Sequence, residues 1–243
     1  MGKRVAIVQS SYIPWKGYFD LIGAVDEFLF FDDVQFTRRD WRSRNQIKTP
    51  DGLLWLTIPV KVKGNYYQAV KDMEIADARW AEHHWKSIRH NYSRAVSFPE
   101  VEPFLAGLYR EAAALSRLSE INRLFTERIC RLLGIETKLS WSMDYKSAPG
   151  QTERLVSLCR QTGAEEYVSG PRARAYIREE LFEAAGIRLT YFDYANYSEY
   201  RQLDPPFVHT VSIVDLLLND GHRAWRFLKS TADRRVGPGA AAS

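Results

Sequence analysis

Residues 4–33, RVAIVQSSYIPWKGYFDLIGAVDEFLFFDD, decide how the fold is read. RVAIVQ (4–9) is a short apolar run that ends in a polar residue and turn formers, the pattern of a buried strand. GYFDLIGAV (17–25) fits a short helix, and DEFLFFDD (26–33) a second buried strand. A strand–helix–strand opening is the signature of a parallel sheet covered by helices.

Downstream the alternation pauses and then resumes. LLWLTIPVKV (53–62) is a third strand candidate, ending at Pro59 or soon after. In residues 77–95 Trp80, His84 and Ile88 recur at helical spacing on one face, and 104–134 holds two helical patterns stopped by Gly134. Strands are then expected at 138–145, 166–170 and 187–194, with helices at 152–163, 175–186 and 212–221 between and after them. Ser212 is a suitable cap for the last helix, and Gly163 a suitable stop for the first. The expectation is one α/β domain over residues 1–230: a Rossmann-like, mainly parallel sheet flanked by helices, with a helical middle segment. The tail, 231–243, is rich in small residues and is expected to be disordered. The pattern does not give the strand order.

Composition narrows the class. The chain has 243 residues, 45% hydrophobic and 26% charged, which suits a globular protein with a sizeable core. A net charge of +4 is compatible with anionic partners without demanding nucleic acid. No apolar run approaches the roughly 20 residues that span a bilayer, and the N-terminus lacks the longer apolar core of an export signal. Cys130 and Cys159 sit in helical patterns and read as buried thiols, so a cytoplasmic location is expected.

In parallel α/β sheets ligands bind beyond the carboxyl ends of the strands. That rule selects Gln9, Tyr12, Trp15, Gly17 and Tyr18 after the first strand, and Asp32 and Asp33 after the second. It also selects Ser169 and Gly170, followed by Arg172, after the strand at 166–170. Gly17 would let backbone approach a ligand at a helix start. Adjacent strand residues face opposite ways, so only one of Asp32 and Asp33 is expected to serve the site.

The run RRDWRSRNQIK (38–48) follows, with five cations, one Asp and one Trp in eleven residues. A helix would group Arg38, Arg42 and Asn45; an extended segment would group Arg42, Arg44 and Gln46. Either grouping offers forked donors for a phosphate or carboxylate. A solvated loop is the ordinary meaning of such a run, but the near absence of acidic partners weighs against it. His84 lies on an apolar stripe, where a histidine is more often a satisfied core residue than a catalyst. No metal-ligand spacing, GxGxxG, P-loop or nucleophile elbow is present, so no metal site and no dedicated cofactor motif is found.

Residues 5–60, together with RWAEHHWKSIRHNY (79–92), TERLVSLCRQTGAEEYVSGPRARAYI (152–177) and VSIVDLLLNDG (211–221), resemble the WbqC-like family in order and over nearly the whole chain. Its members occur in bacterial gene clusters for O-antigen and other surface polysaccharides, so the resemblance implies a pathway more firmly than a reaction. It carries the recurrent polar set onto Arg39, Arg44, Asn45 and Lys48, and it strengthens His84 as a functional candidate. Thr152, Glu153, Arg154, Ser212 and Asp215 match later blocks. The segment around Tyr200 and Gln202 departs from the family's plainer turn.

The expectation is therefore an enzyme, a transferase that binds a phosphate-bearing, nucleotide-activated substrate and moves an acyl or aminoacyl group onto an amino sugar. Arg39, Arg44 and Lys48 would hold phosphate, Trp15 and Tyr18 would stack on a base or sugar, and His84 or Asp33 would be the general base. The alternatives are a nucleotidyltransferase-like enzyme or a non-enzymatic module that binds nucleic acid or anions. The partner is a small anionic substrate, a nucleotide or nucleotide-sugar; nucleic acid is disfavoured, and a homo-oligomer is compatible with the chain.

Overall fold

Along β1 (Arg4–Val8) and β2 (Glu27–Phe30) successive side chains enter two different cores. Ala6, Phe28 and Phe30 pack on one face of the sheet, and Val5, Ile7 and Leu29 on the other. A strand whose residues are buried on both faces reads as a continuous apolar run, which is why these segments show no polar alternation. The computed structural model describes residues 2–62 and 67–235.

β1 and β2 belong to a five-stranded sheet with β5 (Lys138–Trp141), β6 (Glu166–Ser169) and β7 (Arg188–Tyr191), in the order β5-β2-β1-β6-β7. Every pairing in it is parallel. Numbered by their order in the chain, the sheet strands run third, second, first, fourth, fifth. The winding therefore reverses between β1 and β6.

The first core lies under α1 (Lys16–Gly23) and the helical middle segment, formed by α2 (Trp80–Tyr92), α3 (Phe98–Ala112) and α4 (Leu118–Leu133), and under α7 (Ile213–Asp220). The second lies under α5 (Gln151–Thr162) and the short α6 (Glu179–Glu183). Cys130 and Cys159 are free thiols buried on opposite faces of the sheet. Helix ends follow their sequence signals. Gly134 and Gly163 take the left-handed conformation at the C-terminal ends of α4 and α5, and the Ser212 hydroxyl accepts from the Val214 N–H at the start of α7. α8 (Lys229–Arg235) carries helix across the boundary expected at residue 230, and residues 236–243 of the expected tail lie outside the described residues. No helix among the described residues is long and apolar enough to cross a membrane.

The third strand candidate stands apart from the parallel sheet. It is β4 (Gly52–Thr57), paired antiparallel with β3 (Arg44–Thr49), which takes up the second half of the basic run. Pro50 and Asp51 make the two-residue turn, the Thr49 hydroxyl closes it onto the Gly52 carbonyl, and Gly52 has φ 114°. The hairpin docks through buried Ile47 and Leu56 and through the Ser212 N–H, which donates to the Gln46 carbonyl.

Candidate functional site

Where the winding reverses, the carboxyl ends of β1 and β6 open a cleft with two chambers. The larger, about 590 Å³, is walled by Gln9, Ser169 and Gly170 at the strand ends and by Tyr18 on α1, with Gln151, Arg154, Tyr176 and Tyr194. The smaller, about 310 Å³, is walled by Ser11, Pro14, Trp15, Trp41, Asn45 and Thr210. Val8, Tyr18, Arg42 and Arg172 line both. Arg42, Arg154 and Arg172 are the charged side chains in the two linings, and no carboxylate, imidazole or lysine is among the lining residues.

The loop that carries β1 into α1 is held under strain. Ile13 has φ 35°, a rare conformation for a β-branched residue, and such a position persists only where its surroundings fix it. Here the Asn45 amide donates to the Tyr12 and Ile13 carbonyls at 3.1 and 3.0 Å, and the Ser212 hydroxyl donates to Ile13 at 2.8 Å. The Tyr12 N–H donates to the Trp41 carbonyl and the Ile213 N–H to the Pro14 carbonyl. The basic run therefore begins by clamping the loop that walls the smaller chamber.

The expected site residues divide. Gln9, Tyr18, Ser169 and Gly170 face the larger chamber, and Trp15 and Asn45 the smaller. Gly17 has a local cause: a Cβ there would lie 2.3 Å from the Trp15 indole, which folds over the first turn of α1. Tyr12 and His84 are deep in the first core. His84 Nε2 donates to the Thr57 carbonyl at 3.1 Å, so Nδ1 accepts from the Tyr12 hydroxyl at 2.8 Å, and that hydroxyl in turn meets Tyr109. Both ring nitrogens are occupied, and burial lowers the imidazole to about 4. This is the neutral, satisfied core histidine that an apolar stripe ordinarily means.

Asp32 is buried, accepts from the Ser10 N–H at 2.8 Å and from the Ser119 hydroxyl, and has its carboxyl raised by burial. Asp33 accepts from the Ser142 hydroxyl at 2.6 Å and pairs with Arg154. The opposite-face expectation for the two carboxylates describes this placement, since Asp33 supports a cleft arginine and Asp32 ties β1 to α4. Arg39 is exposed, with φ 56°, and Arg44 lies 4.0 Å above the Trp55 ring; neither lines the cleft.

Lys48, expected to hold phosphate, instead closes a ring of internal hydrogen bonds. Its N–H donates to the Tyr92 hydroxyl, Tyr92 and Tyr200 both donate to Asp215 at 2.7 Å, Gln202 donates to Tyr200, and Lys48 Nζ donates back to Gln202 at 3.0 Å. The ammonium also reaches the Asp204 and Pro206 carbonyls. Tyr200 and Gln202, in the segment that departs from the family's plainer turn, are thus members of this ring. It ties residues 200–208 to the hairpin and to α7. The same segment is held from below by buried Lys16, whose ammonium donates to the Ser198 carbonyl at 2.8 Å beside the Tyr197 and Tyr200 rings, and which burial lowers to about 8.

The cleft cations are therefore Arg42, Arg154 and Arg172 rather than Arg39, Arg44 and Lys48. Arg42 and Arg154 each keep a buried Nε–H with no hydrogen-bond partner, although Arg42 reaches the Gln9 carbonyl at 3.3 Å and Asp40 at 3.6 Å. Arg172 is exposed on the loop after β6 and has no ion pair among the described residues. Arg42 lies in the loop between β2 and β3, Arg154 on the first turn of α5, and Arg172 just beyond the end of β6. Strand position selects Arg172 in the sequence, whereas Arg42 belongs to the charge-dense run and Arg154 to a block matched by the resemblance.

No solved structure matches the chain. A protein of Mycobacterium tuberculosis described as "Uncharacterized protein Rv1507c" is 51% identical to it over 227 residues, covering 93% of this chain and 98% of that one. The model of the WbqC-like protein family matches residues 9–227, which take in most of the lining of both chambers, the hairpin and the helical middle. The chain belongs to the WbqC-like protein family.

Proposed function

We propose that the cleft binds a phosphate-bearing, nucleotide-activated substrate, with its phosphates against Arg42, Arg154 and Arg172. The observation that carries this reading is a cleft lined by three arginines and no carboxylate. A guanidinium offers forked, charge-assisted donors to phosphate oxygens, and no lining carboxylate competes for them. The strand order supports a nucleotide, because Rossmann-like sheets bind nucleotides at the point where their winding reverses. The larger chamber is within the volume range of nucleotide-sized ligand sites, roughly 300–1,000 Å³.

In this reading the protein is a transferase of surface-polysaccharide assembly that moves an acyl or aminoacyl group onto an amino sugar. The pathway rests on the setting of the family. The arginines stabilise charge that develops on the phosphate side, Tyr18 and Trp15 wall the junction of the chambers, and Asp33 is a positioning residue that orients Arg154. His84 and Lys48 serve the scaffold.

Calorimetric titration with UDP and with inorganic pyrophosphate tests the binding step. Arg172→Gln removes a cation that holds nothing else in place, so the fold is expected to be unchanged. Loss of one charge-assisted hydrogen bond, about 1.5–3 kcal/mol, weakens binding roughly 10- to 100-fold. Absence of binding by the unaltered protein, or equal affinity in Arg172→Gln, refutes the assignment.

A further inference from the structure

β4 presents an edge that is apolar, open and undefended. Leu53, Leu54 and Trp55 are consecutive and 42%, 39% and 38% exposed. Within Gly52–Thr57 there is no lysine, proline or bulge, the devices by which sheet edges are normally protected from pairing.

The register fixes which backbone groups point outward. The Ile58 N–H donates to the Ser43 carbonyl, so 43:58, 45:56, 47:54 and 49:52 are the hydrogen-bonded pairs of the hairpin. Residues 44, 46 and 48 of β3, and 53, 55 and 57 of β4, then turn their backbone groups away from each other. On β3 these groups meet the rest of the chain, since the Gln46 carbonyl accepts from the Ser212 N–H and the Lys48 N–H donates to Tyr92. On β4 the Thr57 carbonyl accepts from His84. The outward N–H and C=O groups of Leu53 and Trp55 have no partner among the described residues.

We propose that β4 pairs with β4 of a second copy of this chain, antiparallel about a twofold axis through Leu54. In that register Leu53 of one copy faces Trp55 of the other, and the reverse, so the open groups of both edges satisfy each other in four hydrogen bonds. Leu54 faces its own symmetry mate. The exposed apolar side chains meet only one another: Trp55 lies against Leu53 of the other copy, backed by its own Trp41, whose ring is 5.3 Å away. Charge is complementary at the ends of the seam. Asp51 of one copy comes opposite Thr57 of the other, whose β3 neighbour is Arg44, a guanidinium with an unpartnered Nε–H. A foreign strand would lack this reciprocity, which closes the assembly at two copies.

Light scattering behind size exclusion is expected to give about twice the chain mass of 28.1 kDa, and Trp55→Lys the mass of one chain. Crosslinking tests the register independently of that variant. Leu54→Cys is expected to form a disulfide dimer under mild oxidation, because facing residues at a non-hydrogen-bonded position have Cα atoms about 4.5 Å apart. Leu53→Cys and Trp55→Cys are expected to crosslink when mixed and not singly. The native cysteines are buried and do not compete. A single-chain mass at tens of micromolar, or a dimer in which Leu54→Cys does not crosslink, overturns the proposal.

Discussion

Two groups of polar residues lie within this chain, and their hydrogen bonding separates them. In the scaffold, His84 has both nitrogens occupied, Asp215 takes two tyrosine hydroxyls, and Lys48 reaches a side chain and two carbonyls. In the cleft, Arg42 and Arg154 keep buried donors with no acceptor, and Arg172 faces the cavity without an ion pair among the described residues. The basic run contributes to each group, Lys48 to the first and Arg42 to the second. Buried polar groups are ordinarily paired, so the two Nε–H groups without an acceptor set these arginines apart from His84, Asp215 and Lys48.

Substitutions that treat the two groups differently sharpen the contrast. The largest effect is expected in the ring. Lys48→Met keeps the volume but strands the Gln202, Asp204 and Pro206 acceptors, which should cost about 3 kcal/mol or more. Thermal unfolding should show a midpoint lower by roughly 6–12 °C. A shift of only a degree or two would place Lys48 outside the scaffold.

The next effect is a pH dependence at His84. Burial lowers this imidazole from its ordinary 6.5 to about 4, so the unfolded chain binds the proton more readily than the folded one. Between about pH 6.5 and pH 4 the unfolded state carries more protons, and stability falls as pH falls, by at most about 3 kcal/mol from this group. His84→Gln is destabilising at neutral pH, and its penalty should shrink as pH is lowered through that window. Denaturant titrations of both proteins at pH 7 and pH 4.5 read the difference directly, and a constant penalty would mean that His84 is solvated.

The smallest effect concerns Arg39, which the resemblance placed in the phosphate pocket. It is exposed and lines neither chamber, so Arg39→Ala should change stability by less than about 0.5 kcal/mol and leave pyrophosphate affinity as it was. A measurable loss of affinity would return the run's outer arginines to the site.

The sheet strands were readable because two-faced burial leaves an uninterrupted apolar run, as in VAIV and EFLFF, and helix ends because Gly134, Gly163 and Ser212 act locally. The rule of strand ends also located the cleft through Gln9, Tyr18, Ser169 and Gly170. The hairpin is harder to place, since LLWLTIPV has the same apolar character as a sheet strand although its strand, β4, pairs with β3 and Val60 bridges Ile75. Residue type and family position point His84 and Lys48 toward chemistry, since neither reveals how many partners a side chain has.

Local sequence by itself located the sheet strands and most of the helices, because propensity, capping and apolar periodicity act over a few residues. It left 38–48 open between helix and strand, and the elements expected at 138–145 and 175–186 are shorter, at 138–141 and 179–183. Only the tertiary structure decided that the winding reverses between β1 and β6, and that Arg42, Arg154 and Arg172 converge there from three separate segments. It also decided that Lys48 joins Tyr92, Asp215, Tyr200 and Gln202 across more than 150 positions of chain. Whether a polar group is available to a ligand depends on what surrounds it in space, and those neighbours come from distant parts of the sequence.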